Sequence, residues 1–141
     1  MVVVDLPAVK AIEDGTLTPW STAMLEQELR YAAGVRYVAE AGALGQVVGW
    51  CAARVILPEA ELLKIAVHRE QRRQGIGGLL LAALFEHLQG NGVRELFLEV
   101  RAKNLPAVLL YRRYGFSTVG KRPDYYSEPK DDALLLRRGL G

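Results

Sequence analysis

With 141 residues, 50% of them hydrophobic and 24% charged, the chain has the size and composition of one soluble globular domain, 1–141. A formal net charge of +2 is too small to argue for nucleic acid by itself and suits a polyanionic ligand equally, while the single cysteine, Cys51, excludes an internal disulfide and reads as a buried small hydrophobe. No Cys/His cluster has metal-ligand spacing, so no metal site is read, and the start Met1-Val2-Val3-Val4-Asp5 with no long apolar run points to a cytoplasmic protein that neither carries a signal peptide nor spans a membrane.

Val2 to Leu6 is expected to form a first strand, followed by a short helix near Pro7 to Asp14. Ser21 reads as the N-cap of a helix running to about Ala33, with Leu25 and Leu29 on one face and Glu26 and Arg30 on the other. The period then changes. Arg36 to Glu40, Val47 to Leu57 and Glu61 to Val67 read as strands joined by Gly42–Gly45 and Pro58-Glu59, an antiparallel meander. Beyond it, helices over Gly77 to Gln89 and Leu105 to Tyr114 flank a strand over Glu95 to Val100. Phe116 to Gly120 and Ala133 to Arg137 close the chain as strands, with Arg122 to Asp131 expected as a polar, aromatic-bearing loop between them. Nothing marks a linker or an internal repeat.

The sharpest local feature is a strand ending Leu62-Leu63-Lys64-Ile65-Ala66-Val67, a polar loop, and Gly75-Ile76-Gly77-Gly78 opening a helix. A helix N-terminus offers free backbone N–H groups and the positive end of the helix dipole. Glycines there let phosphate oxygens approach the backbone, and Arg72 and Arg73 add positive charge. A Walker loop would need Gly-Lys-Ser/Thr, and a dinucleotide fingerprint would need a third glycine where Leu80 stands; neither fits. On local pattern alone, solvated arginines beside an ordinary helix start account for these residues equally well.

Arg72-x-x-Gly75-x-Gly77 matches the Gln/Arg-x-x-Gly-x-Gly/Ala motif of the GNAT (Gcn5-related N-acetyltransferase) superfamily, and the order of elements resembles that family's. The resemblance implies an α+β fold of three layers, α/β/α, in which about four helices flank a mixed central sheet that opens with the meander. It implies acetyl-CoA as co-substrate, with backbone N–H groups of Arg73, Gln74, Gly75, Ile76, Gly77 and Gly78 on its pyrophosphate and Arg72 beside them. It also implies that Ile65, Ala66 and Val67 pair with the pantetheine arm like an extra strand, one N–H polarising the thioester carbonyl.

Acetyl transfer to an amine requires a neutral amine, a polarised thioester and a proton for the departing thiolate. Leu96-Phe97-Leu98-Glu99-Val100 is an apolar strand with one carboxylate, a setting suited to a base working near neutral pH, and Tyr111 on the following helix is a candidate acid. Taken alone, Glu99 fits equally a pairing with Arg101 or Arg112, and Tyr111 a place in the core. Leu98-Glu99-Val100-Arg101-Ala102-x-Asn104 and Leu110-Tyr111-x-x-Tyr114-Gly115-Phe116 closely resemble the RimI branch, bacterial enzymes that acetylate the N-terminal alanine of a small-subunit ribosomal protein. That resemblance implies Glu99 as general base, Tyr111 as general acid and Asn104 as a cofactor contact.

Pro19-Trp20-Ser21 and Tyr125-Tyr126, with Asp131-Asp132-Ala133 after them, also resemble the branch, which makes Trp20, Tyr125 and Tyr126 candidate acceptor contacts; packing of the tyrosines on the sheet is the plain alternative. Lys64 departs from the branch, which more often carries an amide or small residue there, and Gly78 replaces a commonly basic or polar one. An α-amine of pKa near 8 is on the order of a tenth neutral at pH 7, whereas a lysine amine near 10.4 is under about a thousandth. One carboxylate therefore serves a peptide N-terminus more readily than a lysine. The expected partner is a protein N-terminus, that of a small-subunit ribosomal protein on the branch's pattern, ahead of a lysine or small-molecule amine. A nucleic-acid-binding module built on Arg69, Arg72 and Arg73 lacks the aromatic-and-basic stripe such modules carry, so neither nucleic acid nor membrane is expected as a direct partner.

Overall fold

A computed structural model describes residues 1–141. The chain runs through α1 (Leu6–Glu13), α2 (Thr22–Arg30), β1 (Gly34–Ala41), β2 (Gln46–Ile56), β3 (Glu59–Val67), α3 (Ile76–Gly90), β4 (Glu95–Arg101), α4 (Leu105–Arg113), β5 (Ser117–Ser127) and β6 (Lys130–Gly139). The six strands form one sheet in the order β1-β2-β3-β4-β6-β5. Every neighbouring pair is antiparallel except β3 and β4, which run parallel because α3 carries the chain between them.

Alternation along the strands sorts the core into two layers. Leu96, Leu98 and Val100 of β4 are buried with Leu80, Leu81, Leu84, Phe85 and Leu88 of α3 and with Val108 and Tyr111 of α4. Trp50 and Ala52 of β2 and Ala66 of β3 point to the other face, against Val9, Ile12 and Leu25 of α1 and α2. The result is the expected mixed sheet between two helical layers.

Two expectations are corrected. Val2 to Leu6 is no strand: Val3–Asp5 is a 3₁₀ turn that runs into α1, and the Asp5 carboxylate accepts the Val2 N–H at 2.8 Å. Val2, Val3 and Val4 are exposed, so β-branched residues alone do not make a strand without a sheet edge to join. The segment from Arg122 to Asp131 is no loop but the far half of a hairpin. β5 and β6 pair again at Tyr126↔Asp131 and Ser127↔Lys130 after a bulge that absorbs Pro123 to Tyr125, where Asp124 takes φ 53°. Ser21 does cap α2, accepting the Met24 N–H at 3.2 Å, but the helix stops at Arg30. Arg36 ends it by donating to the carbonyls of Glu28, at 2.6 Å, and Tyr31, at 3.2 Å.

Candidate active site

The parallel strands β3 and β4 pair only from Glu59↔Glu95 to Leu62↔Leu98. Beyond that point β4 stays paired to β6 as far as Arg101↔Ala133, while β3 stays paired to β2 as far as Val67. The two strands therefore diverge and leave a wedge in the middle of the sheet. The cause is local: the β2–β3 register slips between Ala52 and Ala53, making Leu63 an extra residue, and a bulge bends and twists its strand. The edge of β3 from Leu63 to Val67, which carries Ile65, Ala66 and Val67, is open toward the wedge. Such an edge accepts an extended amide chain as a further strand.

The loop after β3 opens at the mouth of the same wedge. None of the backbone N–H groups from Arg72 to Gly78 finds an acceptor within the chain, and α3 has no side-chain cap. Arg73 at φ 64° and Gly75 at φ 78° turn the backbone into a concave cradle. Arg72 folds back, its Nε donating to the Val67 carbonyl at 3.2 Å, so its charge stays between the strand end and the loop. These groups fit a pyrophosphate; they are the expected N–H groups from Arg73 to Gly78, with that of Arg72 in addition.

Gly77 and Gly78 have a second reason to be glycine. A Cβ on Gly77 would lie 3.0 Å from Leu110 Cδ2, and one on Gly78 would lie 1.9 Å from the Tyr114 hydroxyl. Both glycines let α4 close against the start of α3. Ala in place of Gly within a helix ordinarily stabilises by about 1 kcal/mol. Here we expect the opposite: Gly78→Ala should cost about 1–3 kcal/mol through overpacking. In a Tyr114→Ala background the same change should stabilise, a reversal that a double-mutant cycle of thermal unfolding reads directly.

Glu99 is the first residue of β4 past the last β3 pair, and it shares a face with Phe97 and Arg101. Its side chain is 25% exposed and its Oε1 lies 3.4 Å from Arg122 Nη2 of β5. Neither Arg101 nor Arg112 pairs with it; the hairpin correction explains this, because β5 brings Arg122 across from β4. Glu99 opens onto a cavity of about 380 Å³ whose lining includes Phe97, Leu135, Glu61, Arg54 and Arg122. This groove lies on the α1/α2 side of the sheet, opposite the face filled by α3 and α4.

Tyr111 is 6% exposed and packs edge-to-face on Phe116, with centroids 5.6 Å apart. It belongs to the core, yet its hydroxyl has no hydrogen-bond partner in the chain and is not sealed from solvent. Burial, and to a lesser degree the neighbouring Cys51 and Tyr126, hold its pKa above the ordinary phenol value. Burial also pushes the Cys51 thiol up to about 11.

Tyr126 lies within electrostatic reach of both Glu99 and Tyr111, and its own pKa is raised, first by burial and then by Glu99. Tyr125, 51% exposed, stands edge-on to it. Trp20 is half-buried against Trp50, with ring centroids 5.4 Å apart. Asn104 serves first as the N-cap of α4, its Oδ1 accepting the Ala107 N–H at 3.4 Å.

The family model for the acetyltransferase (GNAT) family matches residues 6–116. The chain belongs to the GNAT acetyltransferase family. Among its relatives, the [ribosomal protein bS18]-alanine N-acetyltransferase of Escherichia coli K12 is 36% identical over 136 residues, covering 94% of this chain and 89% of that one. The enzyme of the same description from Haemophilus influenzae is 36% identical over 124 residues, covering 85% and 82%. The crystal structure of the E. coli ribosomal-protein-S18-alanine N-acetyltransferase superposes with TM-score 0.89 at 31% identity, over 100% of this chain and 91% of that one. Ard1 from Thermoplasma volcanium superposes with TM-score 0.87 at 27% identity, over 99% and 93%.

This acetyltransferase thus uses acetyl-CoA, as its family does. Sequence reasoning overlooked Arg122, which lines the groove beside Glu99, and Arg101, which is buried over the Tyr126 ring on the same face of the sheet. The alternation that placed Glu99 and Phe97 on one face carries Arg101 with them; Arg122 could not be placed while its segment was taken for a loop.

Proposed function

We propose that this GNAT enzyme transfers acetyl from acetyl-CoA to the α-amine of a protein N-terminus, in the manner of the bS18-alanine N-acetyltransferases it resembles. The observation that carries the reading is similarity to those enzymes along nearly the whole chain, 36% identity over 94% of it. The geometry supports it: a candidate base, Glu99, borders a groove on one side of the wedge, and a phosphate cradle stands at the wedge's mouth.

In this reading 1–141 acts as one catalytic domain in the cytoplasm, on a ribosomal protein. Acetyl-CoA supplies the activated acyl group. The N–H groups from Arg72 to Gly78, with the Arg72 and Arg73 charges, hold its phosphates. The β3 edge at Ile65, Ala66 and Val67 orients the thioester and offers an N–H to its carbonyl oxygen. Asn104, between β4 and α4, contacts the cofactor as well as capping α4. Trp20, Tyr125 and Tyr126 line the approach of the peptide. Glu99 draws the proton from the incoming ammonium, directly or through a water, and Tyr111 returns one to the leaving sulfur. Arg122 keeps the Glu99 carboxylate paired until an ammonium takes its place.

The test is coenzyme A release from acetyl-CoA with a peptide beginning Ala-Arg-Tyr, against the same peptide blocked at its N-terminus and against a polyamine. Release should occur with the free peptide alone. Release with the polyamine but not the peptide would replace this reading by a small-amine one.

A further inference from the structure

The structure assigns Arg101 a role that the chemistry described so far does not use: we infer that it is the positioning residue that ties together the two chain segments carrying the candidate acceptor contacts. The inference rests on the reading of Trp20, Tyr125 and Tyr126 as acceptor contacts. Arg101 lies two residues beyond Glu99 on β4, on the same face, and is 6% exposed. Its Nε donates to Thr18 Oγ1 at 3.0 Å, in the connection between α1 and α2. Its Nη1 and Nη2 donate to the carbonyls of Pro129, at 2.7 Å, and Glu128, at 3.1 Å, in the turn between β5 and β6. The guanidinium also lies 4.1 Å over the ring of Tyr126. One planar group therefore grips segments 83 residues upstream and 27 and 28 residues downstream of it.

These segments carry the candidate acceptor contacts: Trp20 follows Thr18 by two residues, and Tyr125 and Tyr126 precede Glu128. A fixed fork with donors in diverging directions is what such a bridge needs, and a lysine ammonium cannot hold three acceptors spread so widely. The upstream side is anchored a second time. Lys64 Nζ donates to the Thr18 carbonyl at 2.9 Å and sits 3.4 Å from Glu13 Oε1. Glu13, fully buried, accepts the Trp20 N–H at 2.9 Å and the Trp50 indole N–H at 3.0 Å. Lys64, the departure from the branch's usual residue, is thus committed to this scaffold and does not stand free in the groove. Nothing in the network touches the loop from Arg72 to Gly78, so acetyl-CoA binding should be indifferent to it.

The experiment uses Thr18→Ala, which removes one bond at an exposed position, and Arg101→Lys, which keeps the charge and loses the fork. For each, the acceptor KM, kcat, the acetyl-CoA Kd by calorimetry and amide hydrogen exchange are measured. The acceptor KM should rise about tenfold in Arg101→Lys and less in Thr18→Ala, with the acetyl-CoA Kd unchanged. Exchange should quicken in residues 16–20 and 125–130 together, and not in α3. That exchange readout needs no substrate, so it stands even if the peptide proves not to be the acceptor, an outcome the wild-type enzyme reveals by itself. Should Arg101→Lys fail to fold, Thr18→Ala decides. Unchanged exchange in both segments, or an acetyl-CoA Kd that rises in step with the acceptor KM, would overturn the inference.

Discussion

Replacing Glu99 with Gln is expected to lower kcat/KM at pH 7 by about 10²-fold or more, within the range that positioned general bases contribute. The amide is isosteric and can still accept a hydrogen bond from the amine, but it cannot take a proton. The deficit should shrink as pH rises toward 9, because an α-amine of pKa about 8 then deprotonates in solution without help. With a lysine acceptor, whose amine is near 10.4, the recovery would go on climbing past pH 9 instead of levelling off there. The pH dependence of this one variant therefore tests both the base and the class of amine. The acetyl-CoA Kd should not move, since Glu99 faces the groove and not the phosphate cradle. A variant as active as the wild type across this range would show that Glu99 is not the base.

Tyr111→Phe is expected to lower kcat by about 10²-fold while leaving both substrates bound. The loss should not be structural. The hydroxyl has no partner in the chain, so removing it breaks no bond and leaves the Phe116 contact in place. Burial raises the Tyr111 pKa, so the folded protein keeps this phenol protonated throughout any practical assay range, and an alkaline fall in rate cannot come from it. The same shift makes a stability statement. Below the unfolded phenol's pKa of about 10 the tyrosine costs nothing; above it the unfolded chain ionises first and folding loses ground, until the pH passes the raised folded value. The Phe variant should resist alkaline unfolding better than the wild type, which denaturant titration at pH 7 and pH 11 would measure. If Tyr111→Phe kept full turnover, the tyrosine would be a core residue and no more.

Much of this was legible before any coordinate. The meander, the strand–loop–helix around Gly75 and the Glu99 strand follow from period-2 and helical patterns, because each element buries its apolar face in the ordinary way. The wedge was not legible from spacing. It depends on a one-residue slip between β2 and β3 at Ala52 and Ala53, and a bulge has no fixed signature in an alanine-rich strand. The hairpin beyond Gly120 was hidden for a related reason: Pro123 and Asp124 look like loop residues, and here they occupy a bulge within a continuing strand. Val2 to Val4 misled in the other direction, since strand propensity without a neighbouring edge is spent on a turn. The groove-side charges show the deepest limit. Glu13, Lys64 and Arg101 come from three distant elements; Lys64 and Arg101 meet at Thr18, and Glu13 joins them through Lys64.

The measurement that tests the central claim most directly is the position of the acetyl group on a peptide that offers both kinds of amine. A peptide beginning Ala-Arg-Tyr and carrying one internal lysine is incubated with acetyl-CoA and the enzyme, and the product is sequenced by fragment-ion mass spectrometry. The expected result is acetyl on the α-amine of the N-terminal alanine, with the lysine unmodified. Acetyl on the lysine side chain, with the N-terminus left free, would contradict the account.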